Sequence, residues 1–431
     1  MVDYIEEIDK YLKRLFSITR SITGNGNRET LRILQEIFPL TIKEYPSGEG
    51  VYDWEVPKEW NIQDAWIKNS KNEKVVDFKN SNLHVVNYST PIHEKLTLNE
   101  FKHRLHYIEE LPDAIPYRTS YYKENWGFCL SFNDFTKFFR DDETYEVFID
   151  STLEEGFLSI GELLIEGKSK KEYLISTYIC HPSLANDNLS GVVLTAFLAK
   201  ELLKKRRNFS YRIIFVPETI GAITYCSHHE EIMKNIDSGF VITTVGGPGS
   251  FGYKQSFDDN NSINRIIEKV FKENNIDFIT YPFHVLGSDE RQYSSIEFRI
   301  NVATICKDKY FEYDHYHTSH DNLDFVKPEY INETLNIYLQ AIEKIDKSIV
   351  YENMFPHCEV MLSKHDLYPE ISGDYIPNRG IIESDILRRL LIYCDGRTDL
   401  YKISQILEIP IDVLHRLASK LEKKGIMERV L

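Results

Sequence analysis

Tyr173–Gly191, YLISTYICHPSLANDNLSG, sets a strand, a polar loop and the start of a helix side by side. Its opening residues, Tyr173–Ile179, are an apolar and β-branched run of strand length. Gly191–Lys204 then reads as a helix. The same alternation continues outward. Tyr211–Val216 (YRIIFV) and Phe240–Thr244 predict strands, Ser262–Glu273 a helix, Val302–Ile305 a short strand and Pro328–Val350 a closing helix. Strands alternating with helices imply an α/β fold whose sheet is at least partly parallel and flanked by helices. Such a sheet places its chemistry in loops at the carboxyl ends of strands.

The flanks differ in character. Residues 3–18 carry Ile5, Ile8, Leu12 and Leu15 at helical spacing, and a second helix is predicted from Arg28 to Phe38, the two separated by the Thr23–Gly26 loop. From Val51 to Asp150, short runs such as Val75–Phe78 and Leu83–Val86 predict a β-rich insertion, which holds all four tryptophans, Trp54, Trp60, Trp66 and Trp126. Residues 351–380 read as an irregular connector. The tail predicts a helix at Ile386–Tyr393, a turn at Asp395–Arg397, a helix at Leu400–Leu407, a third helix from Pro410 to Lys424 and a terminal strand, the order of a winged helix. The expected organisation is an α/β unit of residues 1–48 and 152–352, an insertion of 49–151, a connector of 353–378 and a winged helix of 379–431.

The 431 residues are 42% hydrophobic and 27% charged, with a net charge of −16. That acidity argues against nucleic acid or an anionic membrane as the main partner. The tail, with nine Lys/Arg and eight Asp/Glu from Ile381 onward, is nearly neutral. It reads as a protein-interaction or dimerisation module, so a homo-oligomer is expected, with DNA binding through the winged helix as the alternative. No apolar run approaches ~18 residues, so no membrane span is expected. Six cysteines without a Cys-x-x-Cys pair, and no signal-like start, point to the cytoplasm.

Four loops carry the polar residues of interest. His181 and Asp187 follow the first strand, a neutral nitrogen donor and a carboxylate able to bridge cations; Asn186–Asn188 equally forms a turn and helix cap. Glu218 follows the next strand, where a general base would stand, although a lone glutamate there equally caps a helix. Asp289 lies in Gly287–Tyr293. Tyr313–Asp324 holds His315, His317 and His320. Together these loops offer the nitrogen and oxygen donors that zinc accepts. Tyr117–Tyr122 is polar and aromatic enough to line a site, and Arg118 within it is placed to hold a substrate carboxylate, or is simply an exposed arginine on a strand.

In this order, the strand, His181, Asp187-Asn-x-Ser-Gly, strand, Glu218-x-x-Gly, Ser288-Asp289 and Tyr316-His317-Thr-x-x-Asp resemble the di-zinc aminopeptidases, the bacterial leucyl aminopeptidase and glutamate carboxypeptidase relatives. The resemblance implies His181, Asp187, Asp289 and His317 as metal ligands, Asp187 bridging, and Glu218 as general base to a metal-activated water. Two departures stand out. Thr219 replaces a ligand glutamate, and Ser183 replaces an aspartate that orients the first histidine or its metal. The site His181–Asp187–Asp289 is then complete, and the second, left with Asp187 and His317, is weak or absent. Tyr316 and Arg118 are expected to touch substrate. More narrowly, Ser21–Gly24 (SITG), Asn82–Tyr88 (NLHVVNY), Pro116–Tyr122 (PYRTSYY) and Tyr316–Asp324 (YHTSHDNLD) make the whole chain similar to bacterial polysaccharide-biosynthesis proteins with an aminopeptidase-like domain. The implied activity is zinc-dependent hydrolysis of an amide bond in a peptide or small molecule, serving surface-polysaccharide assembly. The alternatives are an amino-sugar deacylase, or a catalytically degenerate scaffold acting as a regulator through its winged helix.

Overall fold

The computed structural model describes residues 1–285, 287–368 and 382–430. Eight strands share one mixed sheet: β1 (Thr41–Pro46), β2 (Phe157–Ile165), β3 (Glu172–Tyr178), β4 (Ser210–Val216), β5 (Ile236–Val241), β6 (Phe251–Lys254), β7 (Phe278–Tyr281) and β8 (Asn301–Lys307). Their spatial order is β1-β2-β4-β3-β5-β8-β6-β7. β3 runs parallel to β4 on one side and to β5 on the other, with Tyr178 opposite Val216 and Ser176 opposite Val241. The chain therefore leaves β3 first to one neighbour and then to the other. The crevice at the carboxyl end of β3 is the point where strand order reverses.

Both faces of β3 are covered, which is why Tyr173–Tyr178 are all buried and the sequence lacks a polar-apolar alternation. Tyr173 and Ile175 pack into a core shared with helices α1 (Ile5–Phe16), α3 (Gly191–Leu202) and α6 (Pro328–Lys347), while Leu174 and Tyr178 face a second core with α4 (Ile220–His228). Helix α2 (Asn25–Leu34) packs near β2, and α5 (Ser262–Glu273) lies against α6. α1 buries Ile8, Tyr11, Leu12 and Leu15 on one stripe, each contributing about 1.5–3 kcal/mol. Gly191 opens α3 because nothing larger fits: a Cβ there would stand 2.2 Å from the Asn188 side chain and 2.6 Å from the Ile242 carbonyl.

The insertion is a four-stranded antiparallel sheet, Lys74–Asp77, Glu59–Lys68, Thr144–Glu154 and Ile92–Thr97 in that order, over a core of its own. Leu83–Val86, expected as a strand, is instead a single 3-10 turn at Asn82–His84 followed by one bridge residue, Val85. Ser81 caps the turn and His84 bonds the Cys129 carbonyl, so local polar partners outcompete a ladder. The insertion also reaches the α/β unit. Pro116 bridges to Thr318, and the Tyr117 amide donates to the His317 carbonyl at 2.8 Å.

The tail forms α7 (Glu383–Tyr393), α8 (Leu400–Leu407) and α9 (Ile411–Lys423) with a three-stranded sheet. Its central strand β9 (Val350–Asn353) lies between β10 (Asp395–Asp399) and β11 (Met427–Arg429). The closing helix thus ends at Lys347 rather than Val350, and the expected turn at Asp395–Arg397 is the start of a strand. Val350–Glu352, assigned by the expected boundary to the α/β unit, pairs with the tail instead. Positions 369–378 of the expected connector, 379–381 of the expected winged helix and Leu431 lie outside the described residues.

Candidate metal centre

The loop after β3 brings Cys180, His181 and Asp187 to the crevice. His181 is buried, and burial pushes its imidazole down to about 4, helped by the charges of His317 and Arg20 and opposed by Asp187. It is neutral at physiological pH, the form that donates to metals. Burial acts to raise Asp187, but His181, His317 and the Tyr178 hydroxyl hold it below the usual carboxylate range. It stays ionised.

His317 arrives on the loop after β8. Its Nε2 lies 3.0 Å from Asp187 Oδ2, yet this buried nitrogen makes no aligned hydrogen bond. One donor atom each from His181, Asp187 and His317 falls within 4.8 Å of the others. Zinc bonds of ~2.0–2.1 Å in tetrahedral array set neighbouring donors about 3.3 Å apart. The three residues, two imidazoles and a carboxylate, fit that ion.

Glu218 stands beside this group, its Oε2 3.8 Å from His181 Nε2 and its Oε1 accepting from Ser288 Oγ at 2.8 Å. Burial, then the charge of Asp187, pushes its carboxyl up to about 7, against the Ser288 hydrogen bond and the charges of His317 and Arg291. Asp289 is fully buried. One oxygen accepts from the Thr219 amide at 2.7 Å, and the other has no partner. Burial and then Glu218 drive its carboxyl well above the usual range. Asp289 is not among the donors that converge within 4.8 Å, whereas His317 is. The tight group is therefore His181–Asp187–His317, and not the expected His181–Asp187–Asp289. Asp289 is turned toward Thr219, whose backbone sits in the left-handed region at φ 65°, a conformation costing about 1–3 kcal/mol for such a residue.

Further side chains complete the surroundings of the centre, of which Cys180 and Arg20 were not expected from the sequence. Cys180 forms a second group with His181 and Glu218; its sulfur is 3.4 Å from His181 Nδ1 and accepts from the Glu218 amide at 3.3 Å. Arg20 is buried, donating to the His181 carbonyl at 2.9 Å and to the Leu15 carbonyl at 2.6 Å. From the insertion, buried Tyr117 sets its ring 5.1 Å from that of His181 and 5.2 Å from that of His317, and its hydroxyl meets that of Tyr121. Arg118, one residue on, is exposed and donates to the Tyr117 carbonyl at 3.1 Å, with its charge acting on His106 and Cys129. Tyr117 thus occupies the place expected of Arg118, because side chains alternate along an extended segment. Tyr316 stacks on His317 at 4.0 Å, and its hydroxyl is raised by burial and by Asp187 and Glu218. Ser183 turns away, its hydroxyl donating to the Phe16 carbonyl at 3.0 Å.

Residues 9–348 match the family described as a domain of unknown function, DUF4910. The chain belongs to that family. Residues 349–429 match a winged helix-turn-helix family, a boundary beside β9. Beyond this DUF4910 match, the chain is 47% identical over 367 residues, 85% of its own length and 84% of the relative's, to a Clostridium acetobutylicum protein named for polysaccharide biosynthesis and an aminopeptidase-like domain. A Clostridium acetobutylicum crystal structure described as a "putative peptidase" superposes with TM-score 0.83 at 42% identity, over 99% of this chain and 96% of that one. The zinc aminopeptidase of Bacillus subtilis superposes with TM-score 0.56 at 11% identity, over 78% and 95%. That distant likeness identifies the fold of the DUF4910 unit as that of the zinc aminopeptidases.

Proposed function

We propose that this protein is a zinc-dependent hydrolase of amide bonds. The convergence of two imidazoles and a carboxylate, with His317 Nε2 lying 3.0 Å from Asp187 Oδ2, carries this reading. His181, Asp187 and His317 would hold the ion, while Asp289, turned to the Thr219 amide, stands outside that group. Bound zinc supplies the positive charge that polarises a scissile carbonyl and makes water a stronger acid. Glu218 is the general base. Ser288 fixes one of its oxygens and leaves the other toward His181, and it passes the water's proton to the departing amine. Tyr117 and Tyr316 wall the centre and exclude bulk water.

Thr219, standing where a ligand carboxylate is expected, favours a substrate without a free amino terminus to anchor, such as an acylated amino sugar. The Clostridium relative's name supports a place in surface-polysaccharide assembly. In the tail, Arg416 and Lys420 pair with Glu383, Lys424 with Asp366, and Arg429 with Glu422. With nine Lys/Arg against eight Asp/Glu from Ile381 onward, the tail offers little net positive charge to phosphates, and the winged helix is proposed to bind protein, including a second copy of the chain. Six free cysteines, five of them buried, support a reducing cytoplasm.

The test is metal analysis of the purified protein, followed by a panel of aminoacyl amides, peptides and N-acyl amino sugars. Stoichiometric zinc with turnover of one class is the expected result. A protein that takes up no zinc and cleaves none of them is not this enzyme.

A further inference from the structure

Asp321 is completely buried and lies four residues after His317. One carboxylate oxygen accepts from the Asn186 amide at 2.6 Å; the other accepts from the Asp187 amide at 2.9 Å and from the Tyr313 hydroxyl at 2.9 Å. Its own carbonyl accepts from the Ala185 amide at 2.8 Å. Three consecutive amides of the loop bearing Asp187 therefore end on one residue of the loop bearing His317. The task of orienting the donors also lies open, since Ser183 is bonded to Phe16 instead.

We propose that Asp321 is a positioning residue of the metal centre. Its carboxylate ties the Asp187 loop to the His317 loop through the backbone, setting the distance between the two donors without touching the ion. This rests on the zinc reading above. Asparagine has nearly the same shape but turns one acceptor into a donor, which then faces an amide N–H that also donates.

The experiment uses the full chain as wild type, Asp321→Asn and Tyr313→Phe. Zinc affinity is read by competition with a chromophoric chelator well below each melting temperature, alongside the melting temperature of the metal-free protein. Asp321→Asn is expected to weaken zinc binding about 10–100-fold, and Tyr313→Phe by a smaller factor of about threefold. A folded Asp321→Asn protein that melts earlier but binds zinc like wild type overturns the proposal, because a merely structural role predicts that pattern. Should Asp321→Asn fail to fold, Tyr313→Phe decides: weakened binding supports the proposal and wild-type binding overturns it. A wild-type chain that binds no zinc refutes the zinc reading itself, a result distinct from unchanged affinity in the variants.

Discussion

Replacing Glu218 with glutamine separates its catalytic work from its cost to the fold. The variant keeps an oxygen for the Ser288 hydroxyl but loses the charge. Removing a general base is expected to lower turnover about 10²–10⁴-fold, or about 3–5 kcal/mol. The metal-free protein should respond in the opposite direction. The Glu218 carboxyl is pushed up from its ordinary 4.5 to about 7. Between those two pH values the folded chain therefore holds a proton that the unfolded chain has released. Stability falls as pH rises through that window and stays lowered above it, by about 3 kcal/mol at most. Glutamine removes the penalty, so at pH 8 the chelated variant should melt about 3–6 °C above wild type, while at pH 4 the two should coincide. Thermal melts across pH, paired with turnover at saturating zinc, read both effects. A chelated variant that melts below wild type at pH 8, or turnover within tenfold of wild type, would refute the reasoning.

Thr219→Glu restores the carboxylate missing from the second ion's shell, and native mass spectrometry should show the zinc content rise from one ion per chain to two; an unchanged count means that the loop cannot present the new donor. Glu162→Gln tests the ion cluster between β2 and β4, where Arg212 also pairs with Glu172. A loss of about 1–3 kcal/mol is expected in denaturant melts at pH 7. Burial acts to raise the Glu162 carboxyl, but Lys43, Tyr225 and Arg212 hold it below its ordinary value. Its contribution is present above pH ~4.5 and lost as pH falls through the depressed value, so the two melting curves should merge in acid.

The central strands and α3 were readable because burial on both faces leaves an apolar run or periodicity in the local sequence. Ser262–Glu273 and Leu400–Leu407 match the structure at both ends for the same reason. Short strands such as Phe251–Lys254 and Phe278–Tyr281 pair with each other and at the sheet's edge, and carry little periodicity to detect. At the site, the pattern of loops places His181, Asp187, Glu218 and His317 in one neighbourhood. It says nothing of how side chains turn within it. Whether Asp289 or His317 joins the tight group depends on the Thr219 amide, a contact 70 residues away in sequence. Tyr117 enters from a loop of the insertion, in a stretch whose aromatic and polar residues marked it as able to line a site, whereas Arg20, a buried cation in a polar loop, left no local signal.

Only two residues separate the end of α6 at Lys347 from the start of β9 at Val350, and β9 is the middle strand of the tail's sheet. Lys347 is moreover ion-paired to Asp412 on α9. The two units therefore share a seam without slack: a partner that twists the winged helix turns α6 with it, and the amino end of α6 begins just after the loop bearing His317 and Asp321. A cut meant to isolate the tail must fall before Ile349, or it removes the tail's own keel.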